Sequence, residues 1–290
     1  MARFSVTIAV PHVNTLGLLS CCIENILHHE HRDLDVEVLV VDQSEPLVKI
    51  AAKARFDNRH GAYTTVRVLD CARVDAGYPL DVAVRQASGE FFVSLDCDAW
   101  PISTAWLASP IEQIVRRGHT FVGCDCDLHA AYGHYGNFRA INNFYRVSWT
   151  DIALRASKAV GFLRPVNRDK VDLDIADDWP FHDWCDNGVA ANWWVGKHFP
   201  GRSLVLPVTR ILGRAHDKPD GCVYGIVVDE KVFHLGYGFY RDTVGSRDVC
   251  LSRMGERFMD LYDSFDAVPD HVEHAAALNR AAQDYQFVGW

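Results

Sequence analysis

Four short apolar runs, each ending at a proline or an acid, set the limits on what this chain can fold into. They are "FSVTIAV" (4–10), "DVEVLVVD" (35–42), "TTVRVLD" (64–70) and "EFFVSLD" (90–96). The first two are continuous and rich in β-branched residues, the pattern of strands covered on both faces. Segments of helical period lie between the runs. "NTLGLLSCCIENILHH" carries Leu16, Leu19, Ile23, Ile26 and Leu27 at helical spacing, with Asn14 or Thr15 as the N-cap. "LVKIAAKARF" and "YPLDVAVRQAS" read as helices, the second closed by Gly89 as a C-cap signal. "STAWLASPIEQIVRR" reads as a helix broken or kinked near Pro110, and "TFVGCDCDL" as a further strand. Pro11 is expected to stop the first strand.

Strands alternating with helices predict an α/β fold with a mainly parallel central sheet flanked by helices. In such sheets ligands bind beyond the carboxyl ends of the strands. Asp42, Asp96 and Asp98 all fall at those ends. The second half is less regular. "HAAYGHYGNFRAINNFYRVSW" (129–149) is aromatic and rich in Gly and Asn, and 169–194 sets several acids between aromatics. "RSLVLPVTRIL" and "YGIVVDEKVFHLGYG" have strand composition, while "LSRMGERFMDLYDSF" and "HVEHAAALNRAAQDY" read as C-terminal helices. The halves are expected to pack into one body.

With 290 residues and 49% hydrophobic content, a sizeable core is available. The nine cysteines are odd in number, scattered and without a CxxC pair. That reads as reduced thiols of a cytoplasmic protein. The opening apolar run is too short for a signal peptide, and no run approaches the ~20 residues of a membrane span. A net charge of −9 argues against a nonspecific grip on nucleic acid, without excluding a local basic patch.

Asp96 and Asp98 stand one residue apart at the end of an apolar strand. On a strand-to-turn bend, such a pair can reach one divalent cation, and carboxylate oxygens suit Mn²⁺ and Mg²⁺. The competing reading is a plain polar strand exit. The wider stretch "RVDAGYPLDVAVRQASGEFFVSLDCDAWP" resembles the donor-site core of the family-two glycosyltransferases of GT-A fold. The matching pieces are Ala87-Ser88-Gly89-Glu90, the strand Phe91 to Leu95, and Asp96-Cys97-Asp98. "VTIAVPHVN" and "EVLVVDQSEP" are similar to the first two strands of that family, with Gln43 where a second Asp is usual.

The resemblance implies a Rossmann-like GT-A sheet and an inverting, metal-dependent transfer from a nucleotide-sugar, by family habit a UDP-sugar. It implies a donor-binding half over residues 1–128, an irregular acceptor-binding and catalytic half over 129–245, and C-terminal helices over 246–290. Pro11, His12, Val13 and Asn14 would line the nucleotide pocket. Asp42 would accept a hydrogen bond from base or ribose. Asp96 and Cys97 would sit by the ribose or the metal's water, and Asp98 would ligate Mn²⁺ or Mg²⁺.

An inverting transfer needs a base for the acceptor hydroxyl. By resemblance it lies in "WPFHDWCDN" (179–187), with Asp183 ahead of Asp186 and Asp178. Trp179, Phe181 and Trp184 would desolvate the carboxylate or stack on a sugar, the bland reading being an acidic loop beside core tryptophans. "KVFHLGYGFYRD" (231–242) resembles the late H-x-G segment of such enzymes, making His234 a third metal ligand and Tyr237 a cover for the site. A hydrogen-bonded core histidine is the alternative. "HHEHRD" (28–33) falls at a helix end and needs no metal to explain it, and Cys124 and Cys126 lack the ligand count of a zinc site.

The expected partners are a nucleotide-sugar and an acceptor saccharide, small aglycone or protein. A nucleic-acid base is a lesser candidate, through the aromatic and arginine segment 132–149. Two other readings stand beside this one. A nucleotidyltransferase would also use acids and Mg²⁺, but "PHVNTLG" lacks the basic triphosphate loop. A GT-A-like module could also bind carbohydrate without catalysis.

Overall fold

The computed structural model describes residues 3–29, 31–74, 77–125, 141–161, 188–211, 225–234 and 287–288. The first part alternates as the sequence pattern requires: β1 (Phe4–His12), α1 (Leu16–His28), β2 (Leu34–Asp42), α2 (Pro46–Phe56), β3 (Arg59–His60), β4 (Thr64–Asp70), α3 (Tyr78–Gln86) and β5 (Phe91–Leu95). Then come β6 (Ala99–Pro101), α4 (Ala108–Arg117), β7 (Phe121–Asp125), β8 (Ile141–Trp149) and α5 (Thr150–Val160). The remaining described elements are α6 (Val189–His198), β9 (Ser203–Leu206), β10 (Val208–Ile211), β11 (Gly225–Val228), β12 (Val232–His234) and β13 (Phe287–Val288).

Eight strands form the main sheet in the order β3-β4-β2-β1-β5-β8-β7-β9. β4, β2, β1 and β5 run parallel, and β8 enters antiparallel between β5 and β7. Period-two alternation sends Val6, Ile8 and Val10 to one face and Ala9 to the other. The first face is covered by Leu19, Ile23 and Ile26 of α1, Phe56 of α2 and Ile111 of α4. The second is covered by Leu80 and Val84 of α3, Ala153 of α5 and Trp194 of α6. Each large aliphatic side chain so buried contributes roughly 2 kcal/mol. A second sheet, β13-β10-β11-β12-β6, is antiparallel throughout its described pairs.

Three local expectations are corrected. Pro11 does not end β1; the strand runs on to His12, paired with Asp42. The ladder with β5 stops at Ala9, so beyond it one flank of β1 has no described strand partner and a residue without an N–H fits. Pro110 does not kink a helix but lies in the first turn of α4, where its missing donor costs little. Gly89 is not a helix cap. α3 ends at Gln86 with Ala87 extended beyond it. Gly89 instead crosses the backbone of β1, and a Cβ there would lie 2.5 Å from the Thr7 nitrogen. The described end of the aromatic stretch, Ile141–Trp149, forms the long strand β8. The expected C-terminal helices lie outside the described residues.

Candidate metal and nucleotide site

The carboxyl ends of β1, β2 and β5 converge on one edge of the parallel sheet. There β5 delivers Asp96 and Asp98 on a turn, closed by the Ala99 N–H donating to the Asp96 carbonyl at 3.0 Å. The chain then enters β6, whose register against β12 sets Ala99 opposite His234. That ladder brings a residue from the far end of the chain onto the acids. His234 Nε2 lies 3.2 Å from Asp98 Oδ1. One ligand atom each from Asp96, Asp98 and His234 fall within 4.8 Å of one another. Burial pulls the His234 imidazolium down, but Asp98 and then Asp96 outweigh it and hold its pKa above the usual value.

Two carboxylates and an imidazole fit a hard or borderline divalent cation, and the imidazole favours Mn²⁺ over Mg²⁺. Cys97, between the two acids, is not a thiolate candidate. Burial and the neighbouring Asp98 and Asp96 push its thiol up, and its Sγ lies 3.4 Å from Thr15 Oγ1. Thr15 is the N-cap of α1 by position, yet its side chain makes no cap bond. The thiol has captured the hydroxyl.

Beside the triad, the β1 and β2 exits are tied together by buried polar groups. The Thr15 N–H donates to His12 Nε2 at 3.1 Å, so His12 carries its proton on Nδ1. That N–H points at Asp42 Oδ1, 3.1 Å away. Ser44 N–H donates to the same oxygen at 2.9 Å, an Asx-type turn, while the Ser44 hydroxyl oxygen accepts from Asn14 N–H at 2.7 Å. Asn14 takes a left-handed φ of 53° and its side-chain oxygen accepts the Glu45 N–H. Burial alone would raise the Asp42 carboxyl, but the His12 and Ser44 bonds overcome it and hold it below the ordinary value. Asp42 Oδ2 is buried with no hydrogen-bond partner among the described residues. Gln43 turns its amide onto the Ala72 carbonyl at 2.8 Å.

Asp96, Asp98 and His234 are thus brought together, and His12, Asn14 and Asp42 form a second cluster at the same sheet edge. Pro11 and Val13 flank His12 and are half-buried. Asp183, Asp186, Trp179, Trp184 and Tyr237 lie outside the described residues. Sequence reasoning missed Phe144, whose ring stacks on His234. No local motif announces it, because its place depends on the pairing of β8 with β5. In "HHEHRD", the ring nitrogens of His29 and His31 donate to the carbonyls of Pro101 and Ile26. A separate cleft of about 580 Å³ opens where β1 and β2 begin, at the opposite end of the sheet. Its charges are already paired, Arg3 with Asp35 at 3.2 Å and Glu37 with Arg67 at 2.7 Å.

No protein-family model matches the sequence, and no curated protein matches it. Among solved structures, the chain is similar to the mannosyltransferase PcManGT from Pyrobaculum calidifontis in complex with GDP-Man and Mn²⁺. The TM-score is 0.51 at 15% identity, over 98% of this chain and 76% of that one. S. aureus TarS 1-349 matches with a TM-score of 0.38 at 19% identity, over 54% of this chain and 49% of that one. The Mycobacterium tuberculosis glucosyl-3-phosphoglycerate synthase in complex with Mn²⁺ and UDP-Glc matches with a TM-score of 0.38 at 15% identity. That match spans 51% of this chain and 57% of the other. At those scores the last two matches add nothing to the fold assignment.

Proposed function

We propose that this chain, whose fold is that of the GT-A glycosyltransferases, transfers a sugar from a nucleoside diphosphate donor to an acceptor hydroxyl with inversion. The observation that carries the reading is the Asp96, Asp98 and His234 cluster at the carboxyl edge of the parallel sheet. Asp98 and His234 would hold Mn²⁺ or Mg²⁺ with Asp96 beside them. When bound, the cation would neutralise charge on the departing diphosphate.

The remaining work falls to the chain's own groups. The unsatisfied Asp42 Oδ2 is an acceptor waiting for a donor, which an N–H of the base or a ribose hydroxyl supplies. His12 and Ser44 keep that carboxylate ionised and fixed in orientation. Asp183, or failing it Asp186, takes the proton from the acceptor hydroxyl. The acceptor oxygen bonds to the anomeric carbon as the bond to the diphosphate oxygen breaks, and the nucleoside diphosphate leaves. Trp179, Trp184 and Tyr237 would enclose the acceptor, a saccharide, small aglycone or protein. UDP is the expected nucleotide by resemblance, and the GDP-Man held by PcManGT makes GDP its first competitor. Among the described residues no helix is long and apolar enough to cross a membrane, and Cys21, Cys22, Cys71, Cys97 and Cys124 form no disulfide. The thiols suit a reducing cytoplasm.

Thermal unfolding against UDP, GDP, CMP and ATP, each with and without Mn²⁺, tests the reading. A ligand at a hundred times its Kd adds about 2.7 kcal/mol, a rise of roughly 5 °C for a chain of this size. The expected result is a rise with one nucleoside diphosphate that needs Mn²⁺ and is lost in Asp98→Asn. A rise with ATP alone favours nucleotidyl transfer instead. Binding without turnover of any nucleotide-sugar leaves a non-catalytic module, and no rise with any nucleotide sinks the donor site.

A further inference from the structure

β8 and β12 belong to different sheets, yet they meet at the triad. The Phe144 ring of β8 lies flat on the His234 imidazole of β12, with centroids 3.9 Å apart and planes 5° from parallel. Phe144 is 2% exposed, so its ring is held by the core beneath it. Its backbone carbonyl accepts the Asp96 N–H at 3.0 Å. One residue therefore touches two of the three clustered side chains' residues, one through its ring and one through its backbone.

The hydrogen bond between His234 Nε2 and Asp98 orients the imidazole only while no cation is present. When Nε2 is a ligand, its lone pair points to the metal and no longer holds a proton for Asp98. A ligating histidine is usually steered by an acceptor on its other ring nitrogen. Among the described residues, His234 Nδ1 has no such acceptor. The stacked ring does not depend on which nitrogen carries a proton, so it persists in both states. It removes the rotation about the Cβ–Cγ bond that would swing Nε2 away from the acids.

We propose that Phe144 is the positioning residue of the metal site, holding the His234 imidazole in the orientation that presents Nε2 beside Asp96 and Asp98. This rests on the metal reading of that cluster. The test titrates Mn²⁺ into the full chain with excess UDP and, in parallel, excess GDP, following free Mn²⁺ by electron paramagnetic resonance. Phe144→Leu, which keeps apolar bulk but removes the ring, is expected to weaken Mn²⁺ binding about tenfold. Phe144→Tyr, which keeps the ring, should stay within about twofold of the parent protein. In a His234→Ala background, Phe144→Leu should weaken binding no further. Equal Mn²⁺ affinity for Phe144→Leu and the parent overturns the proposal and leaves the metal site standing. An undiminished loss in the His234→Ala background assigns Phe144 a merely structural role, and also overturns it. If the parent binds no Mn²⁺ with either nucleotide, the metal reading itself fails and takes the proposal with it.

Discussion

Replacing Gly89 with alanine adds a single methyl group, and the structure allows it no room. The new Cβ would stand 2.5 Å from Thr7 N, 2.6 Å from Val6 C and 2.8 Å from Val6 Cα. All three are backbone atoms of β1, which is hydrogen-bonded to β2 on one side and β5 on the other. No side chain can rotate to relieve the contact. Ordinary carbon contacts lie near 3.5–4 Å, so β1 and the β5 entry must separate by about 1 Å. The separation strains the Gly89 N–H bond to Thr7 Oγ1 at 2.9 Å and the Glu90 N–H bond to Ser5 Oγ at 3.0 Å. Overpacking costs about 1–3 kcal/mol, and two weakened hydrogen bonds add about 1 kcal/mol each. Gly89→Ala should therefore lose about 3–5 kcal/mol in urea unfolding, read from the midpoint at constant slope. Ser88→Ala, one residue away, removes only the hydroxyl bond to Glu37 at 2.8 Å and should lose about 1 kcal/mol. If Gly89→Ala unfolds within about 0.5 kcal/mol of the parent, the close crossing of β1 is wrong, and with it the reason given for glycine there.

Other expectations follow from the core and from the site. His31 is buried, and burial lowers its pKa to about 4, so it stays neutral in the folded protein where the unfolded chain binds a proton near 6.5. Its contribution is complete above pH 6.5 and is lost as the pH falls from there towards 4, by up to about 3 kcal/mol. His31→Asn should flatten that limb of the stability curve, and an unchanged limb would falsify the assignment. Glu24 is fully buried and paired with the half-exposed Arg59. Arg59→Met should cost about 2 kcal/mol, below the range for a fully buried pair because solvent reaches the arginine, and adding Glu24→Gln should restore most of it. A double variant no better than Arg59→Met alone would show that the ion pair is not the cause. Asp98→Asn should abolish the Mn²⁺ dependence of nucleotide binding while leaving metal-free unfolding within about 1 kcal/mol of the parent. Calorimetry with and without chelator checks both parts.

The parallel core was legible because its strands are buried on both faces, which forces a continuous apolar run that no surface element shares. Asp42, Asp96 and Asp98 were legible for a related reason: acids that follow such runs stand at the sheet's carboxyl edge whatever the details of packing. Phe144 was not legible. Its neighbour in space is His234, and only the pairings of β5 with β8 and of β6 with β12 bring them together. Pro11, Pro110 and Gly89 misled for one shared reason. Each was read for its effect on its own segment, and each is placed by what lies or does not lie beside it: a ladder that stops at Ala9, a helix that starts at Ala108, a strand crossing at Thr7.

The pairing of Ala99 with His234 carries a consequence for how the chain matures. The two acids follow β5, which pairs Phe91 with Val6 of a strand made before it, whereas the imidazole comes from β12, which is made long after both. The order of synthesis separates the two events, since loop-closure entropy grows only slowly with loop length. During synthesis the ends of β1, β2 and β5 can therefore assemble before His234 reaches them. A nascent or truncated chain that ends before β12 would carry two acids without their histidine. If the cluster holds the proposed cation, its full ligand set marks a chain that has folded through β12.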